Sequence, residues 1–332
     1  MIHLAEILLE PAPDPFWKVL KQVGVDRAVG VLPRRFFDWR ESRSDLPWDY
    51  VPLALYKEAL EEAGLELVVI EDNPPMDAIR LGTPSREEEI EHFCTLLRSM
   101  GRLSIPVLCY NWMAVLGWLR TSTAHSGRAG AEVVGYDHSL LADAPATTAG
   151  AVEEDELWKN LGYFLERVVP VAEEAGVKLA MHPDDPPLSP IRSIGRIMRN
   201  VDAFQRLIEL VPSDANGITL CQGNFTLMTD DLPAVIRQFG DQGKIHFVHF
   251  RDVRGKPSSF VETFHDEGQT DMLACMQAYR EAGVEASLRT DHTPTLEGDS
   301  AAVAGYSKQA RVFAIGYVKG LREAVFGKDG GS

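Results

Sequence analysis

The chain has 332 residues, 45% of them hydrophobic, and its 33 lysines and arginines against 49 aspartates and glutamates give a formal net charge of −16. This acidic balance disfavours binding to nucleic-acid phosphates and to anionic membrane surfaces. The length is large for an ordinary domain but common for a single α/β barrel.

The first residues, Met1 to Glu6, lack the basic segment and long apolar core of a secretory signal, and no apolar run approaches the length of a membrane-spanning helix. We therefore expect a cytoplasmic protein. Four widely spaced cysteines in such a long chain do not predict a disulfide framework. These are Cys94, Cys109, Cys221 and Cys275.

In the first third of the chain, amphipathic segments alternate with short apolar runs. The loop at 34–49 is rich in aromatic and charged residues, which fits either a cover over a site or a surface anchor. Ser85 and Glu88 have the spacing of a capping box at a helix start. The predicted elements are helices at 16–24, 50–63 and 85–100 and strands at 25–32, 65–70 and 105–110.

Residues 111–152 interrupt this alternation, because glycine, threonine, serine and alanine are interleaved there with no sustained period. Connections of this length are usually functional or mobile. We interpret the segment as an active-site loop or an oligomer contact.

The alternation resumes at residue 153 and continues to the end of the chain. Thr229 is the predicted cap of one of these helices, and the strand at 260–264 is the weakest of the set. The predicted helices lie at 153–175, 201–210, 229–239, 271–282 and 302–326, and the strands at 177–181, 217–220, 245–250, 260–264 and 284–289.

Eight strands alternating with helices predict a parallel sheet closed into a (β/α)8 barrel, with residues 1–332 as one domain and a loop insertion at about 111–152. A doubly wound open sheet is the alternative. That alternative lacks support because no G-x-G-x-x-G follows the first strand and the chain has no P-loop, so a nucleotide cofactor is not expected.

Four predicted strands end in side chains that bind metals: His182, Cys221, His249 and Asp291. Each alone is more simply explained as a structural histidine or a small buried cysteine. In a barrel, however, the carboxyl ends of the strands meet at one mouth. Two imidazoles, a thiolate and a carboxylate suit Fe²⁺, Mn²⁺, Co²⁺ or Zn²⁺, whereas sulfur disfavours Mg²⁺ and Ca²⁺.

Strand geometry separates neighbouring candidates. His246 and His249 are three residues apart on one strand, so they face opposite sides, and we choose His249 at the strand exit. For the adjacent pair Asp291 and His292, we assign the carboxylate to the metal and the imidazole to proton transfer.

Cations follow two of the strands that reach the predicted mouth, which suits an anionic substrate. Each of them is equally well explained by pairing with Asp252, Asp266 or Glu267. The cations are Arg251, Arg254, Lys256 and Arg289, and further candidates at the mouth are Tyr110, Asn111 and His265.

At these residues the sequence resembles the mannonate dehydratases, a family of xylose-isomerase-like barrels. The matching motifs occur in family order across nearly the whole chain. They are Trp48-Asp49, Cys109-Tyr110-Asn111-Trp112-Met113, Met181-His182-Pro183-Asp184-Asp185-Pro186-Pro187, Cys221-Gln222-Gly223-Asn224, His249-Phe250-Arg251-Asp252-Val253, Asp271-Met272, Arg289-Thr290-Asp291-His292, Gly305-Tyr306 and Phe313-Ala314-Ile315-Gly316-Tyr317.

The resemblance implies a hydro-lyase of glucuronate catabolism that converts D-mannonate to 2-keto-3-deoxy-D-gluconate with Mn²⁺ or Fe²⁺. It implies that His182, Cys221, His249 and Asp291 hold one ion per chain, and that His292 and Tyr306 are the acid-base residues, in an order left open. A homo-oligomer, with a dimer favoured, is also expected. The substrate-binding candidates are Asn111, Arg251, His265 and Arg289.

Two segments depart from the family pattern. Thr290 stands where the resemblance leads us to expect proline, and residues 117–135 do not match closely. Three alternatives therefore stay open: a metal-dependent sugar isomerase or epimerase on the same barrel, a dehydratase of another aldonic acid, and a sugar-acid binding protein without catalysis.

Overall fold

Eight parallel strands close into a barrel in the computed structural model, which describes residues 1–34, 44–299 and 303–327. The barrel strands are β1 (Ile2–Leu8), β2 (Arg27–Gly30), β3 (Glu66–Glu71), β4 (Val107–Asn111), β7 (Lys178–His182), β8 (Asn216–Cys221), β9 (Ile245–His249) and β12 (Ala286–Arg289). They follow one another around the barrel in chain order, and β12 closes it by pairing with β1. The predicted barrel is thereby confirmed.

Helices surround the barrel and connect its strands. They are α1 (Pro15–Gln22), α2 (Tyr50–Glu62), α3 (Asp77–Leu81), α4 (Arg86–Arg102), α5 (Glu154–Ala175), α6 (Val201–Leu210), α7 (Gln222–Phe225), α8 (Leu232–Asp241), α9 (Met272–Glu281) and α10 (Lys308–Phe326). The main apolar core lies between these helices and the outer face of the barrel. No described helix combines the length and the apolar character needed to cross a bilayer.

A second, antiparallel sheet lies beside the barrel. Its strands are β5 (Ser122–Ser126), β6 (Glu132–Asp137), β10 (Val253–Lys256) and β11 (Ser259–Glu262), in the order β10-β11-β6-β5. The segment 111–152 therefore contributes two strands to this sheet and is not irregular throughout. The assignment of residues 1–332 to one domain stays a prediction.

Two strand predictions were wrong. The sequence prediction missed β1 because its residues are buried on both faces, apart from the partly exposed His3, so the segment shows no alternation. The strand predicted at 260–264 is β11, which belongs to the second sheet. Its exposed and buried residues alternate, as in a half-buried antiparallel strand.

Helix starts also differ in detail. Ser85 precedes α4 as predicted, but its side chain makes no capping bond. The cap of α8 is Asp231, which accepts from the Ala234 backbone N–H, and not Thr229. Of the aromatic residues predicted in the loop at 34–49, Phe36, Phe37 and Trp39 lie outside the described residues.

The packing of α4 on α5 makes a testable prediction about two glycines. A Cβ at Gly101 would lie 2.5 Å from the backbone oxygen of Ala175, whereas a Cβ at Gly316 in α10 would meet nothing within 4 Å. We expect Gly101→Ala to lower the free energy of unfolding by about 1–3 kcal/mol. Gly316→Ala should raise it by about 0.5–1 kcal/mol through helix propensity. Urea denaturation of both variants measures the difference, and equal stability would contradict this packing.

Candidate metal centre and active site

Four predicted ligands meet at the carboxyl mouth of the barrel. His182, Cys221 and His249 are the last residues of β7, β8 and β9, which are neighbours in the barrel. Asp291 lies two residues after the end of β12, the next strand around. The Nε2 of His182 lies 3.2 Å from the Nδ1 of His249. The Oδ2 of Asp291 lies 3.4 Å from the same Nδ1 and 3.7 Å from the Sγ of Cys221.

These separations fit a shared ion. Nitrogen, oxygen and sulfur donors that bind one first-row ion at about 2.0–2.3 Å lie about 3–4 Å from one another. The donor atoms of His182, Cys221 and His249 all lie within 4.8 Å of each other. The His246 imidazole instead contacts the Leu179 carbonyl, with Nδ1 2.9 Å away, and lines a cleft at the other end of the barrel.

Each ligand imidazole is oriented by a group behind it. The Nδ1 of His182 lies 2.7 Å from the carbonyl oxygen of Pro183, so its Nε2 is left to face the other donors. The Nε2 of His249 lies 3.3 Å from the carboxylate of Glu71, so its Nδ1 faces them. Such partners fix the orientation of metal-binding histidines.

The Cys221 thiol is held in the form that binds metals. Burial alone would raise its pKa, but Arg251, with Nε 3.3 Å from Sγ, and the imidazoles of His182 and His249 together lower the pKa to about 5. The group at this position is therefore a thiolate at neutral pH. Burial also opposes ionisation of Asp291, yet Arg289 holds the pKa of that carboxyl well below its usual range.

The buried charged groups at the mouth of the barrel include more anions than arginines, which favours the binding of a divalent ion there. Among the described residues, five anionic groups at this point contact three buried guanidiniums, so these anions outnumber their arginine partners by two. The anions are Glu71, Asp185, Cys221, Glu262 and Asp291, and the cations are Arg120, Arg251 and Arg289. The pKa of His249 is raised well above its usual value, because Glu71 and Asp291 outweigh burial and Arg289.

A second group of donors shares His249. It consists of Glu71, Cys109 and His249. The Glu71 carboxylate, however, already accepts two hydrogen bonds from Arg289, at 2.5 and 2.6 Å. Burial raises the pKa of Cys109, and the Thr219 hydroxyl donates to its sulfur. These contacts favour Cys221 over Cys109 as the thiolate ligand.

His292 and Tyr306 lie beside the donor set, in the wall of a cavity of about 320 Å³. The Tyr306 hydroxyl donates to the Oδ1 of Asp291 at 3.2 Å. The rings of His292 and Tyr306 meet edge to face, with centroids 5.2 Å apart, and the centroid of the Trp118 ring also lies 5.2 Å from that of His292. Both predicted acid-base residues therefore face the same space.

The sequence prediction missed two functional candidates. Glu262 of β11 lies 3.2 Å from the Nδ1 of His292, so the second sheet supplies an orienting carboxylate to the barrel. Glu262 also pairs with Arg120 and Arg251. No local pattern identifies Glu262, because its partners are distant in sequence. Glu71 was identifiable, since it is a carboxylate at the exit of β3.

The predicted substrate-binding residues separate into two groups. Asn111 and Arg289 line the cavity, together with Asp72, Asn73 and Tyr110. Arg251 lies behind the donor set and is fully buried among Asp185, Asn224 and Glu262. The Nε2 of His265 contacts the Thr290 carbonyl oxygen at 2.7 Å. Arg254 and Lys256 are exposed on β10. The binding roles proposed for Arg251 and His265 stay predictions.

Comparisons with known proteins agree on one family. A sequence model described as D-mannonate dehydratase (UxuA) matches residues 18–149 and 147–329. The mannonate dehydratase of Thermotoga neapolitana is 36% identical over 341 aligned positions, which cover 91% of each chain. Mannonate dehydratase 2 of Halalkalibacterium halodurans is 34% identical over 305 positions, covering 84% of this chain and 88% of that one.

Solved structures give the same result. The crystal structure of mannonate dehydratase from Streptococcus suis serotype2 superposes with a TM-score of 0.88 at 30% identity, covering 100% of this chain and 95% of that one. D-psicose 3-epimerase from Clostridium cellulolyticum H10 matches with a TM-score of 0.61 at 12% identity over 98% of each chain, which shows a shared fold alone.

From the positions of the donors we predict the metal content of variants of three buried cysteines. Cys221→Ser should strongly lower the bound metal per chain, because a hydroxyl is a much poorer anionic ligand than a thiolate. Cys109→Ser, in the second group of donors, and Cys94→Ser, on the buried face of helix α4, should both retain wild-type metal content. Elemental analysis of the three proteins, reconstituted in parallel with Mn²⁺, provides the measurement. If Cys109→Ser lost the metal and Cys221→Ser kept full occupancy, the metal site would be the second group of donors.

Proposed function

This chain belongs to the D-mannonate dehydratase family, as its motifs predicted, and we propose that it converts D-mannonate to 2-keto-3-deoxy-D-gluconate and water. The observation that carries the proposal is the convergence of a thiolate, two imidazoles and a carboxylate beside His292 and Tyr306. The family match favours a hydro-lyase over the sugar isomerase or epimerase considered above. The dimeric assembly and the cytoplasmic location stay predictions.

The family is metal-dependent, and we propose Mn²⁺ or Fe²⁺ as the ion, held by His182, Cys221, His249 and Asp291. A divalent ion bound there supplies positive charge to the oxygens of the substrate, which stabilises the charge that develops when a proton leaves the carbon next to a carboxylate. The mixed nitrogen, sulfur and oxygen donors and the excess of buried anions over arginines at the mouth support this choice.

The cavity walls position the rest of the substrate. Arg289 is the arginine among the described lining residues, and its Nη1 lies 2.8 Å from the Oδ1 of Asp291, next to the proposed ion. We assign the carboxylate end of the sugar acid to this side. Asn73 and Asn111, which also line the cavity, provide amides for the hydroxyl groups of the chain. Amide and hydroxyl groups pair readily by hydrogen bonds.

His292 is the proposed base. Its Nδ1 lies 3.2 Å from the Glu262 carboxylate and 2.5 Å from the Nη1 of Arg251, so these two groups orient the ring. We assign the basic electron pair to Nε2, the nitrogen that is not held by these contacts. The free electron pair of Nε2 then takes the proton from C2 of mannonate. An imidazole oriented by a carboxylate is a common arrangement for proton abstraction.

Tyr306 is the proposed acid. Its phenol carries a proton at neutral pH and lies beside the same cavity as His292. The phenol protonates the C3 hydroxyl as the C3–O bond breaks, and water leaves. The resulting enol takes up a proton at C3 and loses the proton of its C2 hydroxyl to solvent, which gives the 2-keto-3-deoxy product. The proton taken by His292 returns to Tyr306 through solvent, so protons balance over the cycle.

Activity assays test the proposed reaction. The protein, reconstituted with Mn²⁺ or Fe²⁺, should form a 2-keto-3-deoxy acid from D-mannonate and leave neutral ketoses unchanged. A panel of other aldonic acids determines whether mannonate is preferred. Interconversion of ketoses with no keto acid formed from any aldonic acid would contradict the proposal and support an epimerase.

Isotope exchange separates the base from the acid. Both His292→Asn and Tyr306→Phe should lower turnover by about 10²–10⁴-fold while wild-type metal content is kept. In D₂O, Tyr306→Phe should still exchange the C2 proton of unreacted mannonate, because its base is intact, and His292→Asn should not. NMR of the recovered substrate measures the isotope exchange. The reverse pattern would assign the base to Tyr306 and the acid to His292.

Substrate binding should require the ion. The described residues that line the cavity include four carboxylates, Glu71, Asp72, Asp185 and Asp291, which disfavour a sugar acid unless a divalent cation offsets them. Calorimetric titration of His292→Asn with D-mannonate should give at least a tenfold weaker affinity after chelation than with Mn²⁺ present. Equal affinities in the two conditions would show that the acid is bound by protein groups alone.

A further inference from the structure

Asp291 adopts an unusual backbone conformation. Its φ is +61°, in the left-handed region that residues other than glycine rarely occupy. Strand β12 ends at Arg289, so Thr290 is the single residue between the regular strand and this turn. A conformation of this kind costs on the order of 1–3 kcal/mol and persists only where surrounding contacts hold it.

Thr290 is fully buried, and all three of its polar groups are engaged. Its hydroxyl donates to the Oε2 of Glu6 at 2.5 Å, and its backbone N–H contacts the same oxygen at 3.4 Å. Its carbonyl oxygen lies 2.7 Å from the Nε2 of His265. Glu6 and His265 therefore both hold the backbone that leads into Asp291.

Glu6 is itself rigidly placed. The pairing of Leu4 with Leu288 sets β1 beside β12 in a register that brings Glu6 level with Thr290. The other carboxylate oxygen of Glu6 accepts from the backbone N–H of Ile7 at 3.0 Å and from Arg311 of α10 at 3.0 Å. Glu6 is fully buried. The carboxylate therefore connects the first strand and the last helix to the residue that precedes Asp291.

We propose that Thr290 is a positioning residue that holds Asp291 as a metal ligand through its hydrogen bonds to Glu6. This inference rests on the metal site of the proposed function. Proline, which the family resemblance leads us to expect at position 290, has neither an N–H nor a hydroxyl and makes neither bond to Glu6. In this chain, a side-chain hydroxyl and a buried carboxylate determine where the ligand lies.

Removal of one hydroxyl tests the inference. Thr290→Val keeps the shape of the side chain and loses the donor, and we expect the dissociation constant for Mn²⁺ to rise about 10–100-fold, as for other groups that orient ligands. Thr290→Ser should restore the wild-type value. Thr263→Val is the matched control, because the Thr263 hydroxyl is buried with no hydrogen-bond partner in the described residues. Its affinity for Mn²⁺ should equal that of the wild type.

A double-mutant cycle separates positioning from general destabilisation. If Thr290 acts through Asp291, Thr290→Val should not weaken Mn²⁺ binding further in an Asp291→Asn background. An equal loss in both backgrounds, or an unchanged affinity in the single variant, would overturn the inference, as would a wild-type protein that binds neither Mn²⁺ nor Fe²⁺. These experiments measure metal affinity and not activity. If the protein did not dehydrate mannonate, the proposed function would be contradicted, but the role of Thr290 in metal binding would be unaffected.

Discussion

The balance of buried charge at the barrel mouth is the constraint on which the site depends. Carboxylates and a thiolate taken out of water are tolerated only when cations and hydrogen bonds compensate them. Arg251 contacts Cys221, Asp185, Glu262 and Asp291, and thus holds together anions from three barrel strands and the second sheet. The excess of these anions over the arginines that contact them favours a cation at the point where the four donors meet.

Residues outside the strand ends also contact the groups of the site and hold them in place. Residues 111–152 contribute to the sheet that carries Glu262, and Arg120, just before β5, pairs with both Glu262 and Asp185. The insertion and β11 therefore supply groups that orient His292. Strand β1 contributes Glu6, which accepts a hydrogen bond from Thr290 next to the turn at Asp291.

Much of this arrangement was predictable from the sequence, because a barrel places every strand exit at the same mouth. That rule predicted that His182, Cys221, His249 and Asp291 would lie together, as they do, and the motifs around them predicted the family. Strand β1 was missed because a strand buried on both faces carries no alternation, and β11 was misplaced although its alternation is that of a half-buried strand. Glu262 and Arg120 could not be found, since 142 residues separate them and only tertiary packing brings them together. Thr290 was noticed only as a departure from the family, and its contact with Glu6 spans 284 residues.

We propose that one divalent ion is bound by donors from four strand exits. Anomalous X-ray scattering from crystals of the protein loaded with Mn²⁺ can locate that ion. We expect a single strong peak per chain within bonding distance of the His182 Nε2, the Cys221 Sγ, the His249 Nδ1 and a carboxylate oxygen of Asp291. A peak beside Glu71 and Cys109, or one away from the barrel mouth, would contradict it.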